Sequence, residues 1–218
     1  MNDRLAASAD TAAPELDFRN PLPRAAVCHW LASVFLKPPR DAEINAFRRG
    51  TAAMWLDLLA GTAELAPGVA LVRSAMTSDA SDSDLCARLG AAHTKLFTGA
   101  GGPLTVAPYE SAYTGNGRLY QEPASEMSAL LKQHGLHVDK AWAEAPDHIS
   151  VELSLLAQLL TTGHQDSAVI AMRLGVWVPE FAASCAARDA SGYWSGAAAI
   201  LAAMTRINAT ATRSDILH

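Results

Sequence analysis

The stretch PLPRAAVCHWLASVFLKPP, residues 21–39, reads as one helix bounded by prolines at both ends. Pro21 and Pro23 fit a first helical turn, where a missing N–H costs nothing, and Pro38 and Pro39 end the helix because neither can donate to the next turn. Between them Val27, Trp30, Leu31, Val34 and Phe35 recur at steps of three and four, so they line one face of a 3.6-residue period. The same spacing continues along the chain, with Ala and Leu abundant and β-branched runs scarce. Strands would alternate instead, so the expected fold class is all-α, a single compact helical domain.

Working outward, a second helix is expected from Asp41 to Leu59, with Ile44, Phe47, Trp55 and Leu58 inward and Gly61 as its stop. A third covers Pro67 to Thr77. The polar run Ser78 to Ser83 is a linker in which Asp82 or Ser83 caps a helix carrying Leu85, Leu89, Ala92 and Leu96 on one face. From Phe97 to Tyr120 the period vanishes among Gly99, Gly101, Gly102, Pro103, Pro108, Gly115 and Gly117; irregular connections of that length are usually functional. Helices resume at Pro123–His134, Asp147–Thr161, Gln165–Arg188 and Gly192–Ile207. The expected organisation is a flexible N-terminal extension over 1–20, one helical domain over 21–210 and a C-terminal tail over 211–218.

Half of the 218 residues are hydrophobic and 18% are charged, enough apolar material for a full core. A net charge of −5 without any Lys/Arg run excludes a nucleic-acid footprint, because phosphate binding needs clustered cations. The apolar stretches Val151–Leu160 and Ala197–Met204 fall short of the roughly 20 residues that cross a bilayer, so no transmembrane helix is expected. Met1 to Pro14 carries Asp3, Arg4 and Asp10 and no apolar segment, unlike a secretory signal; the expected location is the cytoplasm. Cys28, Cys86 and Cys185 are odd in number and far apart, which points to buried apolar thiols rather than disulfides or a zinc site.

Several segments invite chemistry. Gly99–Pro103 is glycine-rich but lacks the Gly-Lys-Ser/Thr of a phosphate loop and any preceding strand. His148 and Glu152, four apart on a helix with Asp147 beside them, would face one metal ion, yet no HExxH or second matching histidine accompanies them, and no metal or other cofactor is expected. Ser111 and His148 lack a GxSxG elbow, so no catalytic residues are assigned. Pro146-Asp147-His148 reads locally as a helix start with Asp147 as N-cap, and Pro108-Tyr109-Glu110-Ser111 as a loop closure.

Taken in order, Leu96-Phe97-Thr98-Gly99, Pro108-Tyr109-Glu110-Ser111, Pro146-Asp147-His148-Ile149 and Glu152-Leu153 resemble the TorD/DmsD/NarJ family of redox-enzyme maturation chaperones. Trp30 to Phe35 with Pro38 looks like the family's first helix and Trp177-Val178-Pro179-Glu180-Phe181 like its late helix, while Arg173 stands where that late motif is expected to carry histidine before leucine. The resemblance implies a non-enzymatic, cytoplasmic chaperone that binds the twin-arginine signal peptide and the apo catalytic subunit of a molybdopterin oxidoreductase, as a monomer or domain-swapped dimer. It also implies an apolar groove beside the two motifs, with Tyr109, Glu110, Ser111, Pro146, Asp147, His148 and Glu152 as the binding residues. Physically, two guanidinium groups call for acids, here Asp147, Glu110 and Glu152, and the apolar part of the peptide calls for surface such as Tyr109, Trp142, Leu104 and Val106. The alternatives are a helical adaptor that binds a folded redox subunit without reading its leader, and a weak nucleotide-binding protein.

Overall fold

The structure, a computed structural model, describes residues 16–50, 52–114, 122–136 and 144–216. Among these residues the fold is all-helical, and the pairing of extended backbone is confined to an isolated antiparallel bridge between Tyr109 and His148. Trp142 and most of the expected N-terminal extension lie outside the described residues.

Helix α1, Pro21–Leu36, begins where the prolines place it, and the Asn20 side chain accepts the Leu22 N–H at 2.9 Å. The single helix expected from Asp41 to Leu59 is two, α2 (Asp41–Arg48) and α3 (Ala53–Ala60). Gly50 adopts φ 91°, a left-handed turn no helix can contain, and this rotates the later residues: Leu56 and Leu59 face the core, while Trp55 and Leu58 are only partly covered. Helix α4 spans Ala66–Met76 and α5 spans Asp82–Phe97. The α5 cap is Ser81, whose hydroxyl accepts the Asp84 N–H, rather than Asp82 or Ser83 one and two residues later. Asp82 is instead drawn to α2, meeting Arg48 at 2.7 Å and Asn45 at 3.0 Å.

The connection after Phe97 contains short 3-10 turns at Gly102–Leu104 and Glu110–Ala112. Helices α6 (Glu122–Gln133), α7 (Ile149–Thr162), α8 (Ser167–Arg188) and α9 (Tyr193–Ile216) follow. Helix α9 continues well past Ile207, where its apolar period fades.

The core is built by α7 against α1 and by α9 against both α8 and α4. Phe35 of α1 and Phe181 of α8 meet edge to face at 5.4 Å, and Phe97 packs on Trp194 at 5.4 Å, so aromatic rings join the halves of the chain. Where α4 crosses α9 the backbones nearly touch: a Cβ on Gly68 would lie 2.7 Å from the Gly196 carbonyl oxygen, and one on Gly196 would lie 2.7 Å from that of Gly68. Cys28 and Cys185 are fully buried, and burial pushes the Cys28 thiol up to about 12, which leaves it unreactive. Helix α8, with 22 residues and a mean hydropathy of 1.3 over its most apolar window, is long and apolar enough to cross a membrane by length and composition, a test that the core helix of a soluble protein also passes. Its Ile170, Leu174, Trp177, Val178 and Phe181 are buried in the core of the fold.

Candidate functional site

The two motifs singled out in the sequence meet. The Ile149 N–H donates to the Pro108 carbonyl at 2.8 Å and the Glu110 N–H donates to the Asp147 carbonyl at 3.0 Å, which makes the bridge between Tyr109 and His148. Asp147 is fully buried, and its Oδ2 accepts the Ser111 N–H at 3.1 Å. It is therefore not the N-cap of α7. That place belongs to His148, whose Nδ1 accepts the Ser150 N–H at 3.1 Å, because Asp147 is recruited across the crossing to a backbone donor distant in sequence. The His148 ring packs edge to face on Tyr109 at 5.1 Å, and the Tyr109 hydroxyl donates to Glu144 at 2.8 Å. Glu144, partly exposed and 3.9 Å from His148 Nε2, completes the rim.

Beside the crossing lies a charge cluster centred on Arg173 of α8, with Glu110 on its buried side and Glu126 on its exposed side. Its guanidinium stands 2.6 Å from Glu110 and 2.5 Å from Glu126 of α6, and donates to the Pro123 carbonyl at 2.9 Å. Glu152, fully buried on α7, accepts the Trp177 indole N–H at 3.3 Å. Burial and then the Glu110 carboxylate hold Glu152 well above the ordinary carboxyl range, against the pull of Arg173. Burial also raises Glu110, with Arg173 opposing. On Arg173 burial works against the charge, but the Glu126 hydrogen bond and the fields of Glu110 and Glu152 outweigh it, so the guanidinium stays charged. Glu110 pairs with Arg173, and burial next to that carboxylate favours the neutral form of Glu152.

Asp147, Glu110 and Glu152, expected to offer acids to a guanidinium from outside, are thus all buried and engaged within the chain. His148 and Ser111 are buried too, whereas Tyr109 and Pro146 keep a solvent-facing edge. Val106 is buried and Leu104 is exposed. His148 caps α7 with Nδ1, and Glu152 accepts from Trp177 with Oε2. An apolar trough of about 300 Å³ does exist, but Trp30, Val34, Phe47, Trp55, Leu56 and Met76 line it, and no residue of the two motifs does. Arg173, Glu126 and Glu144 escaped the sequence reading; the unexpected arginine in the late motif was the available signal for the first.

Burial pushes His148 down to about 4, with the neighbouring His93 adding to it and Asp147 opposing. Its native value lies below the unfolded value of about 6.5, so the native state binds fewer protons: its stabilisation is present above pH 6.5 and lost as pH falls toward 4. About 2 kcal/mol should disappear by pH 5 through this group. His148→Asn retains a cap acceptor without titrating, so urea denaturation at pH 7 and pH 5 should show the variant gaining that amount on wild type at the lower pH. Equal pH dependence of the two proteins would mean that His148 is already free to protonate in the fold.

The chain matches the family model described as nitrate reductase delta subunit over residues 61–183, a span that includes both halves of the crossing and Arg173. It is similar to the chaperone protein TorD of Photobacterium profundum, 28% identical over 85% of this chain and 92% of that protein. Identity to the TorD chaperone of Vibrio cholerae (strain O395) is 30% over 80% and 85% of the two chains, and to that of Shewanella loihica 32% over 84% and 88%. These relatives are chaperones by name rather than enzymes, in line with a crossing whose polar groups are spent on holding backbone and on one another. By its helices, its joined motifs and the extent of these matches, the chain belongs to the TorD/DmsD/NarJ family of redox-enzyme maturation chaperones.

Proposed function

We propose that this chain is a cytoplasmic maturation chaperone for a molybdenum-containing oxidoreductase, and that it binds the twin-arginine signal peptide and the apo catalytic subunit, delaying export until the cofactor is loaded. The observation that carries the reading is the crossing of Pro108–Ser111 with Pro146–Ile149 in a member of this family. The seven residues read from the sequence divide into two roles. Tyr109 and Pro146 touch the peptide; Glu110, Ser111, Asp147, His148 and Glu152 hold the surface from beneath. Glu144 is the acid at the rim that meets a guanidinium, in place of the buried carboxylates. Covering about 400 Å² of apolar surface contributes roughly 10 kcal/mol before ordering costs, enough for about micromolar affinity after them.

Calorimetry with a synthetic twin-arginine leader and its Lys-Lys counterpart tests the reading. The arginine peptide should bind, and Glu144→Gln and Tyr109→Ala, both folded, should each weaken it by about 1–3 kcal/mol. Unchanged affinity in both variants with loss in Trp55→Ala would move docking to the apolar trough. A leaderless apo-subunit bound as tightly as the complete one would favour the adaptor.

A further inference from the structure

Away from the crossing, three element ends place two imidazoles and a carboxylate together. His134 ends α6, where its N–H closes on the Leu130 and Leu131 carbonyls before Gly135 turns left-handed at φ 68°. His164 follows the left-handed Gly163 that terminates α7, and Asp166 precedes α8. His134 Nε2 lies 3.1 Å from Asp166 Oδ2, His164 Nδ1 lies 3.9 Å from the same oxygen, and one donor atom from each residue falls within 4.8 Å of the others. We propose that His134, His164 and Asp166 form a binding site for a first-row divalent cation of the zinc class.

The donor set is two nitrogens and one oxygen, which suits zinc and excludes the all-oxygen preference of magnesium and calcium. Bonds of about 2.0–2.1 Å in a tetrahedron separate donor atoms by about 3.3 Å. The His134–Asp166 pair is already at that spacing, while His164 must close by about 0.6 Å on Asp166 and by up to about 1.5 Å on His134. Its side chain is 44% exposed, so it is the residue freest to move, and it leaves the fourth position open to water. His164 Nδ1 accepts the Asp166 N–H at 3.2 Å, so that nitrogen carries no proton, and the ring must turn its one lone pair from this N–H to the ion on binding. Gln133 donates to Asp166 at 2.9 Å and fixes the carboxylate from outside the triad. The ion is structural: it ties the end of α6 to the turn between α7 and α8. Sequence spacing concealed the site because its ligands join only when separate helices are packed.

The test is titration of tag-free, chelator-stripped full chain with Zn²⁺ alone, followed by calorimetry, with Co²⁺ as a visible-absorption reporter of a nitrogen and oxygen tetrahedron. One ion per chain is expected, and His134→Gln, His164→Ala and Asp166→Asn should each weaken binding at least about tenfold, as removal of a ligand should exceed loss of an outer-shell partner. No stoichiometric uptake by wild type, or uptake undiminished in the His134→Gln/His164→Ala pair, overturns the proposal. Should that pair fail to fold, the more exposed His164→Ala decides alone: wild-type affinity in it is the same refutation.

Discussion

Replacing Arg173 by methionine should lower the folding free energy by about 3–5 kcal/mol, the largest effect expected of a single polar side chain in this molecule. The substitution keeps much of the apolar stem but removes the cation from between Glu110 and Glu126, and Glu110 then stays buried with no charge to answer it. The hydrogen bond from Glu152 eases the Glu110 charge only in part, since burial outweighs it. Urea denaturation of wild type, Arg173→Met, Glu110→Gln and the double variant separates the parts. The double variant should recover most of the loss, since the stranded charge has gone with its partner. A loss under about 1 kcal/mol in Arg173→Met would mean that Glu110 is neutral in the native fold and that the pair is not ionic.

The second large effect belongs to a residue with no side chain. Gly196→Ala should destabilise by about 3 kcal/mol, although alanine in a helix ordinarily gains about 1 kcal/mol over glycine. The new methyl would stand 2.7 Å from the Gly68 carbonyl oxygen and 2.8 Å from the Val72 nitrogen, both backbone, so relief requires α4 and α9 to move apart. Gly175→Ala is the control: it lies on α8, where an added Cβ meets nothing within 4 Å, and it should be neutral or stabilising. The melting temperature of Gly196→Ala should therefore fall while that of Gly175→Ala holds or rises. A Gly196→Ala protein as stable as wild type would show that the two helices pack farther apart than described.

What was legible in the sequence was what local chemistry controls. The prolines around residues 21–39 and the polar run before α5 marked helix ends within a residue or two, because caps and missing donors act over one turn. The fold class followed from the apolar period. The break at Gly50 was hidden because apolar residues continue on both sides of it, so a helical reading passes through a backbone angle that composition does not reveal. Asp147 misled for a related reason: beside Pro146 it has the chemistry of a cap, and only the folded chain brings the Ser111 N–H to claim it. The motifs announced two segments that meet in the fold, while the burial of their acids, the pairing of Arg173 and the placing of Glu144 depend on contacts between elements far apart in sequence.

The clasp between Tyr109 and His148 has a further consequence for how such a chain can change over evolutionary time. The two ends of the span that contains α6, at Glu110 and Asp147, are held together by the same pair of backbone hydrogen bonds. Neither bond depends on a side chain, and the entropy of closing a loop rises by only about 0.6 kcal/mol for each doubling of its length. The connections on either side of α6 can therefore change length at small thermodynamic cost, whereas α6 itself is fixed by Met127 and Leu131 in the core and by Glu126 on Arg173. A scaffold built this way separates the part that must fold from the part that is free to be rewritten for a new client.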